Sequence, residues 1–251
     1  MIQLKDISKK FGSKIVLKNI NLSIDSNSVY CLLGKNGAGK STMLNILLDL
    51  VKATKGDVLI FDKTYEKSPI EIKKIIGCMI ENVPIIENLT TQDYLIFISL
   101  LYELPLQIAS ERINDLLKFF FANEEISNKS INTFSTGMKK KIAICASLLN
   151  NPKLLIWDEP FAGLDPISSQ KVIDFIKFYI SGDRIILISS HDLFYVDQIA
   201  THIGILDNCQ LVYNGSYSDF TDAKNKRIEN EVRNYLNYDV TDTSILSWMT
   251  Q

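Results

Sequence analysis

Cysteine is scarce and scattered in this chain: Cys31, Cys78, Cys145 and Cys209 form no CxxC pair and no cluster with histidine. No zinc site or redox motif is readable from that spacing. Reduced, mostly buried thiols in a cytosolic protein are expected instead. An excess of positive charge is also missing. Lys and Arg number 27 against 29 Asp and Glu, a formal net charge of -2, and apart from the run Lys139-Lys140-Lys141 the signs are mixed. Sequence-independent nucleic-acid binding needs a clustered basic excess, so no nucleic-acid partner is expected. Long hydrophobic runs are absent too, none approaching the roughly 18 to 20 residues that span a bilayer. The start, MIQLKDISKKFG, carries early charges and no signal-like apolar segment, so export is not expected. At 251 residues the chain can bury a large core without staples.

What is present is a series of short runs rich in Val, Ile and Leu: Val29 to Leu33, Val58 to Phe61, Ile75 to Ile80, Leu154 to Trp157, Arg184 to Ser189 and Ile203 to Leu206. Several are apolar at consecutive positions, which predicts a buried, largely parallel sheet covered by helices. Thr91 to Asn151 differs, with 3.6-residue periodicity over Gln92 to Tyr102 and Ser110 to Ala122 and no convincing strand. It reads as a helical lobe inserted into an α/β core, bounded near Asn82-Val83-Pro84 and Asn150-Asn151-Pro152. Beyond Asp219, an apolar stripe of Ile228, Val232 and Tyr235 or Leu236 predicts a helix packed on its own core, with partner docking as the alternative.

After the strand Val29 to Leu33 comes GKNGAGKST, followed by the helical pattern MLNILLDL. The stretch Gly34, Lys35, Asn36, Gly37, Ala38, Gly39, Lys40, Ser41, Thr42 fits G-x-x-x-x-G-K-[ST] between a strand and a helix, the context a phosphate-binding Walker A loop requires. Glycines allow close approach of backbone N–H groups, and the helix N-terminus favours anions. Lys40 would reach the β- and γ-phosphates, and the Ser41 hydroxyl would ligate Mg²⁺. Further on, LLIWDEP places Asp158 and Glu159 where a buried strand emerges. Asp158 would hold Mg²⁺ and Glu159 would polarise the attacking water.

With these two motifs on either side of FSTGM, Phe134 to Met138, the sequence resembles the nucleotide-binding subunits of ATP-binding cassette (ABC) transporters from about Leu4 to Gly215. FSTGM resembles the family signature in its SxGM form, common among drug and peptide exporters. Physically it is a second anion site made of Ser135, Thr136, Gly137 and a helix N-terminus; taken alone, Ser135 is also an ordinary helix cap. The resemblance implies that this site acts on the γ-phosphate of ATP held by the opposite subunit. It also implies adenine stacking on Phe11, for which a core phenylalanine is the rival. Asp165 in AGLDP corresponds to the D-loop across the dimer, or is simply a turn-forming Asp before Pro. His191 in ILISSHD corresponds to the switch histidine at the γ-phosphate.

One departure concerns Glu81, in IGCMIENVP, where the family's Q-loop has a glutamine that contacts Mg²⁺ and hinges the helical lobe. Glu at this place resembles a subset of bacterial exporters, bacitracin and lantibiotic self-protection systems among them. Thr136 and Met138 replace the more familiar Gly and Gln, and Lys140-Lys141 stands where Gln-Arg is usual. The resemblance thus implies an α/β P-loop NTPase (RecA-like) core with an antiparallel β edge and an inserted α-helical subdomain. One ABC ATPase domain spans 1–251, with 1–85 and 152–219 the nucleotide-binding core, 86–151 the helical subdomain and 220–251 a tail. ATP and Mg²⁺ are the implied cofactors. The implied partners are a second such subunit, most simply a homodimer, and a separately encoded membrane-spanning permease that would hold the chain at the inner face of the cell membrane. A groove formed by the helical lobe and the Glu81 loop would receive the permease. Rivals are an importer subunit, disfavoured by the SxGM form and Glu81, and a soluble ABC ATPase acting on ribosomes or DNA. The tandem cassettes and coiled-coil insertions of that last class are absent.

Overall fold

The computed structural model describes residues 1–80, 85–122, 125–222 and 228–236. The chain runs β1 (Ile2–Phe11), β2 (Lys14–Ile24), β3 (Ser28–Leu33), α1 (Lys40–Leu47), β4 (Lys55–Ile60), α2 (Pro69–Lys74) and β5 (Ile76–Met79). Helices α3 (Thr91–Leu101), α4 (Leu106–Phe121) and α5 (Thr136–Leu148) follow, with a short 3-10 turn at Ile131–Thr133 before the last. The remainder is β6 (Leu154–Asp158), α6 (Pro166–Tyr179), β7 (Ile185–Ser189), α7 (Leu193–Ile199), β8 (His202–Asp207), β9 (Gln210–Ser216), α8 (Tyr217–Asp222) and α9 (Ile228–Tyr235).

Six strands form one sheet in the order β5-β6-β7-β3-β8-β9, parallel except for the β8–β9 hairpin. Strands β3, β6 and β7 are buried at every residue, as strands with both faces covered must be. Because side chains alternate between faces, each strand feeds two cores. Tyr30, Leu32, Leu154, Ile156, Ile185 and Leu187 join Met43, Leu44 and Leu47 of α1 on one side. Cys31, Leu33, Leu155, Trp157, Ile186 and Ile188 join apolar residues of α3 to α7 and α9 on the other. Trp157, fully buried, donates its indole N–H to Ser147 Oγ at 3.0 Å, so its polar edge is satisfied inside the core.

A second sheet, β2-β1-β4, is antiparallel throughout. It caps the α1 side through Ile2, Leu4, Ile7, Leu17, Ile20, Leu22 and Ile24. Reading apolar runs alone misses β1, β2 and β9 as individual strands, because these strands interleave polar residues on an exposed face. Helix α9 buries Ile228, Val232 and Leu236, while Tyr235 rings stack with Phe220 and tilt toward Tyr213. The tail stripe therefore covers the chain's own core.

The expectation of mostly buried thiols needs correction. Cys31 and Cys145 are fully buried, and burial pushes both thiols up so that they stay protonated. Cys78 is exposed, since it lies on β5 at the sheet's edge, and Cys209 is half-buried at the β8–β9 hairpin tip. No helix among the described residues is long and apolar enough to cross a membrane.

Candidate functional site

The loop from β3 to α1 turns back on itself beneath the sheet's C-terminal edge. Gly34 has φ 155°, and a Cβ there would lie 2.4 Å from the Leu206 carbonyl oxygen, so only glycine fits against β8. Gly39 occupies the cap position of α1 without any side-chain cap bond. The first-turn N–H groups of Lys40, Ser41 and Thr42 thus have no side-chain acceptor and favour an anion at that end. Lys40 is only 7% exposed, and its ammonium donates to the Gly34 carbonyl at 2.7 Å and more weakly to Lys35 at 3.4 Å. The loop's own carbonyls therefore aim the charge.

A cleft of about 560 Å³ opens over this loop, lined by Lys14, Val16, Asn36, Gly37, Gly39, Lys40, Ser41, Thr42, Asp158, Glu159, Ala162 and His191. The glycine-rich loop, the paired carboxylates and His191, far apart in sequence, meet here because β3, β6 and β7 are parallel neighbours whose C-terminal ends coincide. Asp158 ends β6 opposite Ser189 and is 3% exposed, its carboxylate accepting a hydrogen bond from the Ser189 hydroxyl. Glu159 leaves the strand with φ 50°, an uncommon backbone state for a residue with a Cβ. Its N–H donates to Ser189 Oγ at 3.1 Å and to the Ser189 carbonyl at 3.2 Å. His191 Nδ1 lies 2.9 Å from Glu159 Oε1.

Ser135 and Thr136 are exposed and do not line the cleft. Ser135 caps α5, accepting from the Met138 N–H at 3.3 Å. A Cβ on Gly137 would meet the Gly163 carbonyl oxygen at 2.7 Å, so this helix start packs directly on the loop that leads to Asp165. Asp165 caps α6 through Ser168, accepting from its N–H at 2.9 Å and its hydroxyl at 2.6 Å. These two bonds, the hydroxyl's first, hold the carboxyl below the usual range. A depressed carboxyl stabilises the fold fully above the unfolded-chain value, near 3.9, and the contribution disappears as pH falls through the folded value. As a helix cap, Asp165 should be worth about 0.5 to 2 kcal/mol at pH 7, toward the low end because the exposed carboxylate is screened by solvent, and Asp165→Ala should lose that. The difference should narrow as pH falls below the unfolded-chain value in urea unfolding curves; a gap that stays constant there would mean the cap acts without its charge.

Of the other expected residues, Gly34 is buried behind the loop, Lys35 is exposed outside the cleft lining, and Ala38 packs toward the core beneath α1. Phe11 is 51% exposed, which removes the core-phenylalanine reading. It pairs with the cleft-lining Lys14 across the β1–β2 hairpin, and the Lys9 ammonium sits 4.6 Å from its ring centroid. Glu81 lies outside the described residues. Sequence reading overlooked Lys14, Val16, Ala162 and Ser189, and noted Lys140 only as a departure without a role; its Nζ donates to the Glu159 carbonyl at 2.6 Å. The available signal for Ser189 was its place at the end of the strand-like run Arg184 to Ser189, since it stands opposite Asp158 once β6 and β7 are paired.

A family model described as ABC transporter matches residues 17–162. The lantibiotic transport ATP-binding protein SrtF of Streptococcus pyogenes is 35% identical over 218 residues, 86% of this chain and 91% of that protein. The bacitracin transport ATP-binding protein BcrA of Bacillus licheniformis is 33% identical over 213 residues, 84% of this chain and 68% of the relative. Among solved structures, an ATP-binding subunit of an ABC transporter superposes with TM-score 0.85 at 26% identity, covering 95% of this chain and all of the other. A dimeric ATP-binding cassette, MJ0796, in a post-hydrolysis state with ADP and Pi superposes with TM-score 0.77 at 27% identity, covering 86% and 98%. The glycine-rich loop, paired carboxylates and histidine gathered in one cleft agree with these matches in sequence and shape, and the chain belongs to the ABC transporter family as an ATP-binding, ATP-hydrolysing subunit.

Proposed function

We propose that this ATPase powers an exporter of antimicrobial peptides or related amphipathic cargo, working as a homodimer on a separately encoded permease at the cytoplasmic face of the membrane. The export direction and cargo class rest on the SxGM form of the signature and on the lantibiotic and bacitracin transport of the relatives SrtF and BcrA. The dimer rests on one observation above all: the α5 N-terminus, with Ser135 at its cap, is exposed and separate from the cleft that holds Lys40 and Glu159. An anion site presented to solvent fits the ATP of a second subunit, whose cleft supplies the other half of the contacts. Exposed Phe97, Leu100 and Leu101 on α3 offer apolar surface for the permease.

In this reading the α1 N–H groups and Lys40 hold the β- and γ-phosphates. Glu159 accepts the proton of a water attacking the γ-phosphorus, and the bond to the bridging oxygen breaks to leave ADP. His191 is oriented by its Nδ1, 2.9 Å from Glu159 Oε1, and would donate to a γ-phosphate oxygen from Nε2 when that nitrogen also carries a proton. Ser41 and Asp158 fit Mg²⁺, since both line the cleft and Asp158 is a buried carboxylate already oriented by Ser189. The ion, when bound, would neutralise charge on the phosphate oxygens. Ser135→Arg should leave the ATP affinity of a single subunit near wild type while abolishing ATP-dependent dimerisation in size-exclusion chromatography. Undiminished dimerisation would remove the assignment of Ser135 to the partner's nucleotide.

A further inference from the structure

We propose that Lys140 is a positioning residue for the general base, holding the backbone of Glu159 to the helix that carries the signature sequence. The proposal rests on the reading of Glu159 as that base. Lys140 is half-buried on the second turn of α5, and its ammonium donates to the Glu159 carbonyl at 2.6 Å. The same carbonyl accepts from the Ala162 N–H at a longer 3.3 Å. A charge-assisted donor at the shorter distance is the stronger of the two.

Glu159 needs such a hold. Its φ of 50° is uncommon for a residue with a side chain, and Pro160, next in the chain, biases the residue before it toward extended backbone. A conformation of this kind persists only where the surroundings determine it several times over. Ser189 fixes the N–H, His191 meets the carboxylate, and Lys140 fixes the carbonyl. Without Lys140 the Glu159 carbonyl keeps, among the described residues, the longer Ala162 bond alone, and the carboxylate loses its aim at the attacking water.

The helix adds a second consequence. Lys140 stands five residues beyond the Ser135 cap, about 7.5 Å along a rigid α-helix. A phosphate drawn to the Ser135 end therefore loads the element that holds Glu159, so seating the partner's nucleotide and aiming this subunit's base become one event.

Full-length Lys140→Met should lower kcat about 10- to 100-fold, the range expected when a reacting group is displaced by about 1 Å. KM for ATP and the unfolding midpoint should stay near wild type. Lys140→Arg should restore most of the rate, and Lys140→Gln, with a neutral donor on a shorter stem, should fall between. In a Glu159→Gln background, Lys140→Met should change the residual rate less than about twofold, because no base remains to be aimed. Wild-type kcat in Lys140→Met overturns the proposal. So does an equal loss in the Glu159→Gln background, or a loss that Arg does not rescue and that raises KM in parallel, since each marks a packing role only. Full turnover by Glu159→Gln itself would instead remove the base assignment beneath it, which separates the two failures.

Discussion

Glu159→Gln should reduce steady-state ATP hydrolysis by about 10²- to 10⁴-fold, the contribution of a positioned general base, while ATP binding persists. The amide keeps the shape and can still bond His191 Nδ1, now 2.9 Å from Glu159 Oε1, but it cannot take a proton from water. Removing a negative charge from the cleft that receives the γ-phosphate also favours nucleotide binding. Lys40 and the α1 N-terminus remain in place, so the variant should collect as an ATP-bound dimer. Phosphate release, nucleotide affinity and sizing on the same preparation check all three. Retained turnover would mean that another group accepts the proton.

Lys40→Ala should fail earlier, at binding. Lys40 is 7% exposed, and its ammonium is directed by the Gly34 carbonyl at 2.7 Å toward the space above the loop. Truncating one partner of such a buried charge contact costs about 2 to 5 kcal/mol, a weakening of about thirtyfold or more. Lys40→Met, which keeps the apolar stem, should lose nearly as much affinity if charge rather than packing holds the phosphates. Calorimetry with ATP and a thermal melt of each variant separate loss of the contact from loss of the fold. Near-native affinity in both variants would shift phosphate binding to the backbone alone.

Legibility followed the physics of each element. GKNGAGKST was readable because a phosphate loop needs glycine at fixed places, some for backbone approach to the anion and some, like Gly34, for packing where a Cβ would meet Leu206 of β8. LLIWDEP was readable because a strand buried on both faces is apolar throughout, so the carboxylates that end it stand out. β1, β2 and β9 were harder, since one of their faces is wet and their polar residues break the runs. The lysine run was the least legible. In sequence, Lys139, Lys140 and Lys141 are three identical charges. On a helix turning about 100° per residue they point three ways. Lys139 pairs with Glu87 at 2.8 Å, Lys140 meets the Glu159 carbonyl, and Lys141 lies buried with its ammonium 4.2 Å from the centroid of the Phe121 ring. Only the packing of α5 against β6, α4 and the segment before α3 separates their roles. Phe11 shows the reverse case, where exposure removes the core reading that the sequence left as the rival.

The central claim is that each ATP is enclosed by Lys40 and Glu159 of one subunit and Ser135 of the other. Mixed dimers of one Ser135→Arg chain and one Lys40→Ala chain, each also carrying Glu159→Gln to block turnover, test it most directly. In such a dimer one site joins an intact phosphate loop to an intact signature, while the other combines both lesions. The account predicts one trapped ATP per mixed dimer, with neither parent homodimer trapping any; mixed dimers that trap none, or Ser135→Arg homodimers that trap two, would contradict it.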